Sequence, residues 1–254
     1  MTDTLRARGV AIAFAALAFA GGGSDARAEG FQLSPVRLSL TAKEHVASIA
    51  VLNPADVPLR IEVRSARLTQ NAEGRAALVP SDDLLVFPQL VTIPAHAVRN
   101  VRVAATLPAG EREGAYEVVV TEINAFAAPA ARRTAIALQM QADIPVFVAP
   151  QAERRSAAIA DASVRNRTLA FSVRSDGSVH VVTKDVRVTG EGTGGKPVFA
   201  AGLEGGLLLA GGAREYRVAL TRAQCGALRA ATIRLRANDQ DLVRALEIGP
   251  DACK

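Results

Sequence analysis

The chain has 254 residues, with 30 Lys and Arg against 25 Asp and Glu, a formal charge of +5, and 49% hydrophobic residues. Its like charges gather only in pairs such as Arg132-Arg133 and Arg154-Arg155, with no basic stripe interleaved with aromatics, which argues against a nucleic-acid surface. No Trp and only two Tyr argue against a sugar-binding face built by ring stacking.

The first 28 residues read as a targeting segment. Arg6 and Arg8 form a positive start, Val10 to Ala20 an apolar run, and Ala26 to Ala28 a small-x-small cleavage site. The apolar run, about 11 residues, is short of the roughly 18–20 a membrane span needs. A secretory signal peptide fits best, with a retained membrane anchor as the alternative. Cleavage before Glu29 leaves 226 of the 254 residues and, because three basic and two acidic residues go with the leader, a charge of +4. That length suits two domains of about 100–120 residues.

From Glu29 onward the pattern is β. Strands are expected at 31–41, 46–53, 58–69, 84–93, 98–106, 115–124 and 134–149, separated by turn-rich stretches such as "NPADVP" and "LPAGEREG". Seven strands at this spacing predict an immunoglobulin-like sandwich over 29–150. Pro150 marks its edge. Further strands are expected at 155–161, 164–174, 179–190, 197–203, 213–220, 229–237 and 242–248, and no amphipathic helix exceeds two turns. The expectation is all-β: two tandem immunoglobulin-like β-sandwiches, 29–150 and 151–254.

The last strand of the first sandwich is unusual. In "RTAIALQMQADIPVFVAP" every even position from 136 to 148 is apolar: Ile136, Leu138, Met140, Ala142, Ile144, Val146 and Val148. That is a long strand with one greasy face, where ordinary strands run about 5–6 residues.

Catalytic and cofactor chemistry finds no support. "GEGTGGKP", 190–197, falls short of a phosphate loop because Pro197 stands where Ser or Thr would hold magnesium, and a strand is expected after it. His45, His96 and His180 accompany no nucleophile motif and are assigned surface or packing roles. Asp82-Asp83 reads as the start of a strand. No enzyme, cofactor or nucleic-acid partner is expected. Two Cys and three scattered His are too few to suggest a metal site. Cys225 and Cys253 predict a disulfide, because an exported chain meets an oxidising compartment and the two flank a hairpin pivoting near Asp239.

These pieces together resemble the PapD-like periplasmic pilus-assembly chaperones. "PVRLSLTAKEHVASIAVLNP" is similar to the family's opening strand pair, with Arg37 on the first strand and Asn53-Pro54 closing the second. "LLVFPQLVTIPAHAVRNVRV", "LPAGEREGAYEVVVTEI", the long seventh strand and "RLRANDQ" follow in the family's order behind a signal peptide. The resemblance implies a boomerang-like pair of sandwiches in the periplasm. It implies capture of pilus or fimbrial subunits by donor-strand complementation, in which the chaperone's seventh strand completes a subunit lacking its own last strand. Delivery to an outer-membrane usher and self-capping homo-oligomers also follow from it. Subunit-binding positions then fall on Ile136, Leu138 and Met140, with Ile144 nearer the cleft. The competing reading has the strand cover its own core. Arg37 matches the first of two cations that anchor the subunit's terminal carboxylate, although an exposed or ion-paired residue is the plain alternative. Pro145 stands where the family has the second cation, a Lys. Glu113 and Asp239 match the acids of an interdomain ion pair, while Ala149 replaces its Arg; Arg154 or Arg155 are the nearest substitutes. The alternative to the whole reading is a diverged two-sandwich structural protein of a surface assembly without strand donation.

Overall fold

The computed structural model describes residues 30–123, 139–249 and 251–253. The leader, residues 1–28, lies outside them, as do the expected donor residues Ile136 and Leu138.

The first half contains β1 (Gln32–Ser34), β2 (Leu38–Leu40), β3 (Val46–Leu52), β4 (Leu59–Gln70), β5 (Ala76–Pro80), β6 (Leu84–Phe87), β7 (Leu90–Ile93), β8 (Val98–Ala105), β9 (Gly114–Glu122) and β10 (Gln141–Val148). One sheet runs β1-β3-β8-β6; the other runs β2-β10-β9-β4-β5, with β7 paired to β4. Alternation drives the stacking. In β8, Val101 and Val103 are fully buried while Arg102 between them is exposed, so one face is dry and the other wet. Ile49, Val51, Ile61, Val63, Val118 and Val120 meet them from both sheets.

Two expected strands are each divided at a proline. Pro35 interrupts 31–41, and β1 pairs with β3 whereas β2 pairs with β10 in the other sheet. Pro88 interrupts 84–93, and β6 pairs with β8 whereas β7 pairs with β4. A residue without an N–H cannot serve the interior of a ladder, so the chain changes sheets there. β5 was not anticipated, because all five of its residues are exposed and show no alternation; its ladder to β4 holds it.

The second half contains β11 (Ala157–Arg165), β12 (Thr168–Ser175), β13 (Val181–Glu191), β14 (Pro197–Leu203), β15 (Gly206–Leu208), β16 (Ala213–Ala219), α1 (Arg222–Ala227), β17 (Ala230–Ala237) and β18 (Gln240–Glu247). Its sheets are β11-β12-β16 and β14-β13-β17-β18, with β15 on β13. A second core lies between them, around Leu169, Phe171, Val188, Leu208 and Ile233. The first turn comes later than expected. Asn166 and Arg167 make it at φ 47° and 59°, while the expected break near 162 is a bulge with Asp161 at φ 53°. The Gly-rich stretch 190–197 joins β13 to β14, with no α-helix after it.

The β17–β18 hairpin closes at Asn238-Asp239, since Ala237 pairs with Gln240. Cys225 and Cys253 form the expected disulfide beyond its open end. Cys225 does so from α1, whose start is fixed by a capping box between Thr221 and Gln224.

Candidate functional site

β10 lies between two fates. Its even residues Ile144 and Val146 are fully buried in the protein's own core, with Ala142 and Val148 packed beside them. Ile144, expected as a subunit-binding side chain near the cleft, is therefore committed inward, at 1% exposure. Period-two alternation puts it on the same face as Val146, and that face is covered by the opposite sheet. Met140 lies just beyond, 37% exposed, with its thioether close over Gly30. The aliphatic face thus emerges from its own sandwich between residues 142 and 140.

The backbone of β10 is half paired. Every residue from Gln141 to Val148 faces β9, but β2 reaches only Val146, Phe147 and Val148. From Gln141 to Pro145, β10 is a sheet edge among the described residues. The Glu122 N–H donates to the Met140 carbonyl, and the Ala149 N–H donates to the Leu40 carbonyl on the opposite side. Alternation in the ladder then turns the even residues' backbone groups toward β9 and the odd residues' outward. Gln141 and Asp143 present N–H and C=O to the open edge. Pro145 presents only C=O, the placement in which proline costs a sheet least.

The odd side chains lie on the other face. Pro145 sits opposite Glu117, whose carboxyl is pushed up by burial and by the nearby Asp143 charge. Leu38 pairs with Val146, so one step back along the parallel ladder brings Arg37 beside Pro145. Phe147 turns away from its own sandwich and packs with Leu68, Ala115, Leu207 and Leu209, which come from both halves.

Arg37, Phe147 and His180 form a stack in the cleft between the halves. The Arg37 guanidinium lies 4.6 Å from the Phe147 ring centroid, and the His180 ring stacks on Phe147 at 4.2 Å. Arg37 Nη2 lies 3.0 Å from His180 Nε2. Glu113 binds His180 twice: its Oε2 accepts from the backbone N–H at 2.9 Å and meets Nδ1 at 2.6 Å. A cleft of about 330 Å³ opens beside these groups, lined also by Glu153 and Arg155.

The two acids expected to share an interdomain ion pair, Glu113 and Asp239, lie apart. Glu113 meets His180, while Asp239 is exposed at the β17–β18 turn, on a hollow shared with Arg155. His180, assigned a packing or surface role from sequence, is the residue that joins Arg37 to Glu113 across the halves. Other ties accompany it: the Gln70 amide donates to the Leu207 carbonyl at 2.7 Å and accepts from the Leu209 N–H at 3.0 Å. Asp83 does precede a strand, and it also holds Arg67 and the Tyr116 hydroxyl. Among the described residues no His, Cys, Asp and Glu group is arranged to hold a metal ion.

Comparison with known proteins places this architecture. The crystal structure of the class 5 fimbriae chaperone CfaA superposes with a TM-score of 0.59 at 15% identity, over 87% of this chain and all of that one. The CsuC–CsuE chaperone–tip adhesion subunit pre-assembly complex from the archaic Csu pili of Acinetobacter baumannii gives 0.53 at 13% identity, over 74% of this chain and 89% of that one. The Pseudomonas aeruginosa CupB2 chaperone gives 0.51 at 14% identity, over 86% and 100%. At such identities the likeness is one of fold. A comparison with curated protein sequences finds no significant match. Residues 30–153 match the family model of the pili and flagellar-assembly chaperone PapD N-terminal domain, and this part of the chain belongs to that domain family.

Proposed function

We propose that this protein is a periplasmic chaperone that captures pilus or fimbrial subunits by lending them the start of its β10 strand, and then hands them to an outer-membrane usher. The observation that carries the reading is the open edge from Gln141 to Pro145, continuous with an aliphatic face that leaves its own core at Met140. An incoming subunit edge pairs with the backbone there, and the even side chains Ile136, Leu138 and Met140 fill its groove. Ile136 and Leu138 enter from the sequence pattern, since they lie outside the described residues. Burying three such side chains supplies roughly 1.5–3 kcal/mol each before ordering costs. Met140 suits grooves of differing shape because it is unbranched. Arg37, at the mouth of the cleft, anchors the subunit's terminal carboxylate. The relation between CsuC and CsuE, a chaperone with a tip adhesion subunit, is the kind of complex proposed here.

The test is affinity purification of the tagged mature protein from the periplasm of its own host. The wild type brings down a small immunoglobulin-like subunit that lacks its last strand. Leu138→Glu combined with Met140→Glu, with an unchanged melting temperature, loses it. Equal recovery by the folded double variant overturns strand lending.

A further inference from the structure

The cleft holds an imidazole whose protonation state is dictated by its neighbours. A guanidinium has donors only, so the 3.0 Å contact between Arg37 Nη2 and His180 Nε2 requires Nε2 to accept. His180 is then neutral, with its proton on Nδ1, which donates to the Glu113 carboxylate at 2.6 Å. Glu113 in turn is held by the His180 backbone N–H, so the ring cannot flip without breaking that arrangement. Phe147 fixes the plane of the ring by stacking. Arg37 Nη2 and His180 Nε2 therefore face the same point from opposite halves of the molecule.

We propose that His180 is the second group of the carboxylate anchor, and that it acts by taking up a proton when the carboxylate arrives. The inference rests on the reading of Arg37 as that anchor. Pro145, one residue before the Val146–Leu38 pair of β10 and β2, offers neither charge nor N–H. His180 Nε2 faces Arg37 instead. A carboxylate entering between them turns Arg37 Nη2 onto one of its oxygens. His180 Nε2 loses its donor, takes one proton from solvent, and donates it to the other oxygen. No bond other than these hydrogen bonds changes. The bound state is a carboxylate between guanidinium and imidazolium, with Glu113 balancing the new charge. Without the ligand, protonation would set imidazolium against guanidinium at contact distance.

Every titratable neighbour of the ring is accounted for in this scheme. Arg37 precedes β2, Glu113 precedes β9, and Glu153 and Arg155 come from the connecting segment; β10 contributes Phe147, which does not titrate. Glu117 and Asp143 lie further along the outer face of β9 and β10. Between about pH 5.5 and pH 8.5 ordinary carboxylates and guanidinium groups keep their charge.

The test uses the mature protein and an N-acetylated synthetic peptide of alternating Val and Thr, about ten residues long, with a free terminal carboxylate or its amide. Titrations across that range read affinity, and nitrogen-15 NMR reads the ring state of His180. The carboxylate peptide is expected to bind more tightly as pH falls, by up to about tenfold per unit. The NMR signature of His180 should move from the Nδ1–H tautomer to imidazolium on binding. His180→Gln should weaken the carboxylate peptide and abolish its pH dependence, and His180→Lys should restore affinity without pH dependence. A carboxylate preference that needs Arg37 but ignores both pH and His180 overturns this inference and leaves the Arg37 anchor standing. If the carboxylate and amide peptides behave alike, or neither binds, the Arg37 anchor falls and this inference with it.

Discussion

Gly177 lies so close to the Arg154 carbonyl oxygen that a methyl group at its Cα would come within 2.1 Å of it. The obstacle is backbone on both sides, and the neighbouring Ser178 and Arg154 are tied by hydrogen bonds in both directions. The loop that presents His180 and the segment that joins the sandwiches are thus pressed together at one glycine.

Gly177→Ala is expected to force these two segments apart. Overpacking of this sort costs about 1–3 kcal/mol, measurable as a lower midpoint in urea. The same variant should lose the Arg37–His180 contact, visible as a change in the His180 ring-nitrogen shifts. An unchanged midpoint would show that the loop yields freely.

Asn53→Ala tests a buried polar clamp. Asn53 is 1% exposed; its amide N–H groups are directed at the Val57, Ile93 and Pro94 carbonyls, and its Oδ1 accepts from the Ala55 N–H. Removing it strips partners from several groups in or near the core. A loss of about 1–3 kcal/mol is expected in chemical denaturation. Asn53→Asp should be no better, because a carboxylate would face carbonyl oxygens.

The disulfide should matter to the second sandwich alone. Cys225 and Cys253 are 28 residues apart. Closing a loop of that size removes about 3–4 kcal/mol of unfolded-state entropy. Cys225→Ser with Cys253→Ser is expected to destabilise the second half by about that much in chemical denaturation. Hydrogen exchange in the β3–β8 ladder should stay as in the wild type.

Asp83 gives an acid limb to stability. The Ser81 hydrogen bond, followed by Arg67 and Tyr116, outweighs burial and holds its carboxyl below the usual range. A carboxylate depressed in the folded state stabilises fully above its unfolded pKa, and that stability is lost as pH falls through the folded value. Stability should therefore drop on acidification below about pH 4, and Asp83→Asn should flatten that part of the profile. Denaturation midpoints between about pH 2 and pH 7 check it; equal slopes in both proteins would dismiss the role.

Much of this molecule was legible from its residues alone. Val101 and Val103 around Arg102, or the even residues of β10, declare which face is dry, because side chains alternate along any strand. Pro150 is readable as a strand end, whereas Pro35 and Pro88 divide strands that the apolar pattern ran through, because which sheet each piece joins is set by its partners. Cys225 and Cys253 could be paired because the hairpin between them is local and its pivot is readable. β5 escaped because its side chains carry no alternation and only its ladder with β4 holds it in place.

The site divides along the same line. Arg37 and the aliphatic run to Met140 are visible in the sequence, since each is a property of one strand. The point at which that run stops serving its own core, leaving Ile144 inside and Met140 at the rim, is decided by how far the opposite sheet extends. The choice of His180 over Arg154 or Arg155 as the partner of Glu113 is likewise tertiary. His180 is 67 residues from Glu113 and 143 from Arg37, and no periodicity reaches across such separations. Local chemistry determined the strands and their faces; the docking of two sandwiches determined which charges share the cleft, because only packing brings distant side chains within hydrogen-bond range.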